Sequence, residues 1–257
     1  MYTKLGLQVY TVRDHMQDEA SMDATFEKLA KLGYTELHTA GYESETYVAL
    51  AKKHGLTIVG THYSLDKIVN NVEETIALHK ALGTTNIGVG GCSARTYEQI
   101  TEFIEKYNKA AAIYAEHGFK LTYHNHSFEF VEVRDGKSMM DMLVEQLDKD
   151  NISFVLDTCW VANAGGDVCS WIEKLVGRID ILHLKDLKVT FADDGKWAVN
   201  HQLCEIGKGN LDWKKILETA EATGIKHIVV EQDNGWMDGD PFKSLEFSKN
   251  YLSQFMN

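Results

Sequence analysis

Two histidines one residue apart, with a glutamate three residues after the second, close the stretch "KLTYHNHSFEF" at 120–130: His124, His126 and Glu129. Imidazoles and carboxylates this close can ligate a divalent ion or move protons as general acid and base. The same residue types recur after other apolar runs. Gln8 follows "LGL", Glu36 and His38 lie in "TELHTA", and His62 ends "TIVGTH". Asp157 lies in "SFVLDTCW", His183, Lys185 and Asp186 in "IDILHLKD", and Glu231 and Asp233 in "HIVVEQD". One polar residue at a strand end is usually just solvated, but repetition changes the odds. The last four runs each deliver a metal-binding type: Glu129 or a nearby His, then Asp157, His183 and Glu231. Such a mixed set suits Mn²⁺, Zn²⁺, Co²⁺ or Mg²⁺. An ion on a carbonyl and its adjacent hydroxyl would ease loss of the neighbouring proton and stabilise the enediolate. Glu129 and Glu231 could then remove and return protons. Lys185 could hold an oxyanion, or simply pair with Asp186. Tyr10, Trp160, Trp213 and Trp236 could pack on the apolar face of a sugar, or serve as core and rim.

These side chains need elements that bring them together. Eight strand candidates run along the chain, at 5–10, 35–40, 57–63, 85–91, 120–126, 153–160, 179–186 and 227–233. Amphipathic helical stretches lie between them. "SMDATFEKLAKLG" puts Met22, Phe26 and Leu29 on one face, with Ser21 as its expected cap and Gly33 as its stop. Alternating strands and helices imply parallel pairing with right-handed crossovers. Eight units in 257 residues predict an α/β fold, a single-domain (β/α)₈ TIM barrel over 1–257. An open doubly wound sheet is weakened because no G-x-G-x-x-G follows the first strand. Residues i and i+2 of a strand share a face, so Glu36 and His38, His124 and His126, His183 and Lys185, and Glu231 and Asp233 each pair up. Two connections, near 127–137 and 187–210, are longer than most and follow strands, where barrels build active sites. Asp240 and Pro241 predict the cap and first turn of a last helix.

Composition narrows the function classes. A net charge of −12 without any Lys/Arg run argues against nucleic acid as a partner. Cys92, Cys159, Cys169 and Cys204 form no C-x-x-C pair and read as reduced thiols of a cytoplasmic protein. No apolar run approaches the ~20 residues that span a bilayer, and the N-terminus lacks a signal-peptide pattern. "GVGGCSART" at 88–96 is Gly-rich but lacks a P-loop lysine, so a phosphorylated substrate is neither indicated nor excluded.

The segments "LGLQVYTVRD", "YHNHSFEF", "LDTCWVANAGGD", "GRIDILHLKD", "EIGKGNLDW" and "VVEQD" together resemble the xylose isomerase-like sugar phosphate isomerase/epimerase family, over nearly the whole chain. The resemblance implies a (β/α)₈ barrel with one divalent metal, Mn²⁺ foremost, held by Glu, Asp, His and Glu. Carried over, these are Glu129, Asp157, His183 and Glu231, with His124 and His126 competing for the first place. It implies Gln8, His38, His62, His124, His126, Trp160 and Lys185 around a small carbohydrate, and it allows a homo-oligomer. Trp160 stands where the epimerases have a histidine, and "ELH" replaces their "VE" at the second strand. The expected activity is isomerisation or epimerisation of a sugar, keto-sugar or sugar phosphate through an enediolate. A lyase of inosose or 3-keto-glycoside type on the same metal site is the alternative. An apurinic-site endonuclease would need more histidines and a less acidic surface. A non-catalytic sugar-binding barrel would not need a full ligand set.

Overall fold

A computed structural model describes residues 2–192 and 198–256. Eight parallel strands close into a barrel: β1 (Gly6–Gln8), β2 (Glu36–Ala40), β3 (Thr57–His62), β4 (Asn86–Val89), β5 (Lys120–His124), β6 (Ile152–Asp157), β7 (Ile179–Leu184) and β8 (His227–Val230). Each neighbours the next in sequence, and β1 closes on β8. The chain forms the single α/β barrel that strand–helix alternation predicts.

Most strands end sooner than their apolar runs suggest. The chain leaves β1 at Val9 for a 3₁₀ turn, Val9–His15. It leaves β6 at Thr158 for the helix Thr158–Asn163, whose cap is the Asp157 carboxylate. The first long helix, Glu19–Leu32, begins before Ser21. Asp18 is its cap, and Ser21 returns the bond from the third position as a capping box. It ends at Gly33 with φ +92°, a left-handed conformation that costs glycine little. The last helix, Pro241–Leu252, starts on Asp240 and Pro241 as expected.

Two layers of core result. Outside, helix stripes such as Ile100, Phe103, Tyr107, Ala110 and Tyr114 of the helix Tyr97–Glu116 are buried at helical spacing against the strands. Each large apolar side chain so buried stabilises the fold by roughly 1.5–3 kcal/mol. The buried Tyr107 Oη there donates to the Thr122 carbonyl at 2.8 Å. Inside, Val59, Val155, Ile181 and Val229 form a separate small core. Two residues beyond the last three, on the same strand face, stand Asp157, His183 and Glu231. The barrel's own plug therefore forms the floor under them.

Both long connections contain hairpins. Glu132–Arg134 pairs with Lys137–Ser138, and Asp186–Phe191 pairs with Val199–Cys204. Residues 193–197 of the second connection lie outside the described residues. Asp186 anchors the base of that hairpin. Its carboxylate accepts from the Leu187, Gly207 and Gly209 amides and from Trp213 Nε1 at 2.7–3.1 Å. Asp186 is thus structural, and so is Trp213, which is buried rather than at the barrel mouth.

Candidate active site

Strand register decides which polar ends meet. On β5 the inward series runs from Thr122 to His124, which pairs with Val155, two residues before Asp157, while Asp157 pairs with His183. His124, Asp157, His183 and Glu231 are all buried, and one ligand atom from each lies within 4.8 Å of the others. His183 Nδ1 is 3.0 Å from Glu231 Oε2, and His124 Nε2 is 3.4 Å from Asp157 Oδ2.

Glu129 does not join them, contrary to the sequence expectation. It lies past the strand in the 3₁₀ turn Phe128–Phe130, outside the two-residue periodicity that aims side chains at the axis. Its carboxylate accepts from Tyr123 Oη at 2.9 Å and from the His126 amide at 2.7 Å. Burial raises its pKa to about 7, opposed by those two bonds. It braces the turn that carries His126. His124 occupies the fifth-strand place in the cluster.

The hydrogen-bond inventory fits a cluster that could hold a cation. The Tyr10 amide donates to Gln8 Oε1, which turns Gln8 Nε2 toward His38 Nδ1 at 2.9 Å. His38 Nδ1 therefore presents its lone pair, and His183 Nε2, 3.0 Å away, must donate to it. His183 Nδ1 then meets Glu231 Oε2 at 3.0 Å, an approach that a proton on Nδ1 or a bound cation would satisfy. The local charge agrees. Asp157, Glu231 and Asp233 surround one ammonium, Lys185 Nζ, at 3.8, 3.3 and 2.6 Å. The two uncompensated negative charges match one divalent ion, and two imidazoles with two carboxylates are an ordinary donor set for one. Burial pushes the Asp157 carboxyl well up. Burial would also raise Glu231, but the Lys185 ammonium and His183 outweigh it and hold Glu231 well down. Burial works against the Lys185 charge, yet Glu231, Asp157 and Asp233 hold its pKa up.

Above the cluster lies a cavity of about 310 Å³, lined by Tyr10, His62, His124, His126, Lys185, Glu231 and Asp233 among others. Of the expected substrate residues, His62, His124, His126 and Lys185 line it. Gln8 and His38 sit behind its wall as the relay described above. Burial lowers His62 to about 3 and His126 to about 4, so both rings are neutral near pH 7. The Gly-rich loop after β4 makes room for them. A Cβ at Gly90 would stand 3.2 Å from His62 Nδ1, and one at Gly91 3.3 Å from His126 Nδ1. Trp160 stands to one side: Lys185 Nζ is 4.8 Å from its ring centroid, and the His126 ring is 5.7 Å away. Lys185 does not pair with Asp186. Its closest partner is Asp233, a pocket residue legible in the sequence only as the i+2 neighbour of Glu231.

A closed eight-stranded barrel with a mixed carboxylate–imidazole cluster at the C-terminal ends of its strands defines a class of barrel proteins whose strand ends could hold a metal ion. The sequence pattern of the xylose isomerase-like TIM barrel family matches residues 21–251, and the chain belongs to that family. An inosose dehydratase of Geobacillus thermodenitrificans is 25% identical over 168 residues, covering 62% of this chain and 55% of that protein. The chain thus spans about half the length of the curated relatives it matches. A crystal structure of a sugar phosphate isomerase/epimerase from Parabacteroides distasonis superposes with a TM-score of 0.80 at 23% identity, covering 99% of this chain and 97% of that one. A xylose isomerase-like TIM barrel protein of Mycobacterium smegmatis, in complex with magnesium, superposes with a TM-score of 0.69 at 14% identity, covering 99% and 98%. Among the described residues, no helix is long and apolar enough to cross a membrane.

Proposed function

We propose that the protein is a divalent-metal-dependent lyase. It removes the proton beside the carbonyl of a keto-sugar or keto-cyclitol and expels a leaving group from the next carbon. The reading rests on what stands around the cavity above the cluster: Lys185 and His126 line it, whereas Glu129 is tied beneath the turn. His124, Asp157, His183 and Glu231 would hold the ion, with Gln8 and His38 fixing the His183 tautomer. When bound, the ion would polarise the substrate carbonyl and acidify the C–H beside it. His126, whose ring lines the cavity, accepts the proton. Lys185 donates to the departing oxygen, and Asp233 keeps it aimed. The inosose dehydratase relatives support this reaction class. The two imidazoles favour Mn²⁺, and the magnesium complex of the M. smegmatis protein supports a divalent ion on this fold. The four free thiols support the expected cytoplasmic location.

The isomerase or epimerase reading shares the first step and is favoured by one observation. Asp233 supplies a second carboxylate in the cavity wall, raised by burial and by Glu231, that could return a proton to another carbon. Product mass decides between them. Metal-loaded protein incubated in D₂O with keto-sugars and keto-cyclitols should yield a product lighter by the leaving group, and Glu231→Gln should abolish its formation. An isomer of unchanged backbone composition carrying solvent deuterium would establish the second reading. Unchanged substrates throughout would sink both.

A further inference from the structure

The strands carry polar side chains at both ends of the barrel. On the inward face, Lys120 stands two residues before Thr122, Ser153 two before Val155, and His227 two before Val229. Glu36 likewise stands two before His38. All four lie at the N-terminal ends of their strands, across the plug of Val59, Val155, Ile181 and Val229 from the candidate metal cluster. Asp180 reaches the same end by a different device. Phe154 pairs with Ile179 and Val155 with Ile181, so Asp180 is the extra residue of a β-bulge. A bulge at a barrel rim re-aims a side chain, and here Asp180 Oδ2 accepts from Ser153 Oγ at 2.7 Å.

At this mouth lies a cavity of about 350 Å³, against about 310 Å³ above the cluster. Asn86, Lys120, Asp180, Lys226 and His227 are part of its lining. The carboxylates here are already engaged. Asp180 holds Ser153 and faces Lys120 Nζ at 3.4 Å. Glu36, which is buried, meets His227 Nδ1 at 2.9 Å and Lys4 Nζ at 3.8 Å. Asn86 gives its Nδ2 to the Val59 carbonyl at 3.0 Å. What remains unspent is cationic. Lys226 is exposed and forms no ion pair among the described residues. An ammonium has three donors, so Lys120 keeps some beyond its bond to Asp180. Lys4, Lys120 and Lys226 thus stand against only Glu36 and Asp180, in a chain whose net charge is −12.

We propose that this cavity binds a small dianion, a phosphate group or a dicarboxylate, held by Lys120, Lys226 and His227. The two ammonium groups neutralise its charge. His227 spends Nδ1 on Glu36, which leaves Nε2 as the ring nitrogen available to the ligand. An anion beside Nε2 favours a proton there, and that proton completes a charge-assisted bond. Carboxylates already paired and donors in surplus select an anion over a cation or a neutral sugar. The site shares no residue with the lyase reading and stands without it.

The test is calorimetric titration of the full chain with sodium phosphate and, separately, with succinate, at fixed ionic strength near neutral pH. Wild type, Lys226→Gln and Lys120→Gln are compared. Wild type should bind one equivalent of at least one anion, and the tighter of the two shows which acidic group the site takes. Each variant should weaken that binding by about tenfold or more. A chelator should leave it unchanged, because the plug separates the two mouths. Lys226 is exposed, so Lys226→Gln keeps the comparison readable should Lys120→Gln disturb Asp180. Binding of neither anion, binding that Lys226→Gln leaves untouched, or binding lost with the chelator would overturn the proposal.

Discussion

At the scale of single residues, the site depends on which side of a strand's last ladder bond a residue falls. His124 is the last residue of β5 and faces the axis, whereas Glu129, five residues on, is turned under the chain. Their replacements should therefore separate. His124→Ala should lose stoichiometric metal with the fold retained. Glu129→Gln should keep the metal yet lower kcat, because the turn holding His126 loses part of its brace. His38→Ala should weaken metal binding about 10–100-fold by releasing the His183 tautomer. Metal analysis of the purified variants decides the matter. If Glu129→Gln came out metal-free and His124→Ala metal-replete, the assignment of the fifth-strand position would be wrong.

At the scale of elements, one buried histidine links a helix to the barrel without taking part in chemistry. His79, on the helix Val72–Leu82, donates from Nδ1 to the Thr75 carbonyl and accepts at Nε2 from Thr61 Oγ1 of β3, at 2.7 and 2.9 Å. Burial lowers its pKa from 6.5 to about 4, with the Thr75 bond opposing. The folded pKa lies below the unfolded one, so the unfolded chain binds the proton first. The contribution is complete above about pH 6.5 and is lost as pH falls through about 4. Between pH 7 and pH 4.5 the wild type should lose about 2 kcal/mol through this group alone. Urea unfolding of wild type and His79→Gln at the two pH values isolates it. Parallel pH dependences in the two proteins would show that His79 is not titrating in this way.

At the scale of the whole molecule, stability and metal binding are coupled because the uncompensated charge sits at the barrel's centre. Three carboxylates against one ammonium are costly to bury, and an ion that binds the fold but not the unfolded chain offsets that cost. At a free-ion concentration 100 times Kd the gain is about 2.7 kcal/mol, which for a chain of this size is roughly 5–10 °C in Tm. Mn²⁺ added to chelator-treated protein should raise Tm by that order, and a chelator should reverse it. A melting curve indifferent to both would contradict the metal centre.

The sequence by itself determined the barrel, because apolar runs at period two and amphipathic stretches at period 3.6 are local signals. Eight alternations of the two admit few other closed packings. It also marked Asp157, His183 and Glu231, since each lies two residues beyond an inward apolar residue on its own strand. It could not choose among His124, His126 and Glu129. That choice turns on where β5 leaves the ladder, and the end of a ladder is set by hydrogen bonds to neighbouring strands. Nor could it reveal the Gln8–His38–His183 relay, the Lys185–Asp233 pair, or the cavity at the barrel's other mouth. These join residues far apart in the chain and exist only once the barrel has closed. Only the tertiary structure puts opposite charges and facing walls within a few ångströms, where their interactions acquire strength.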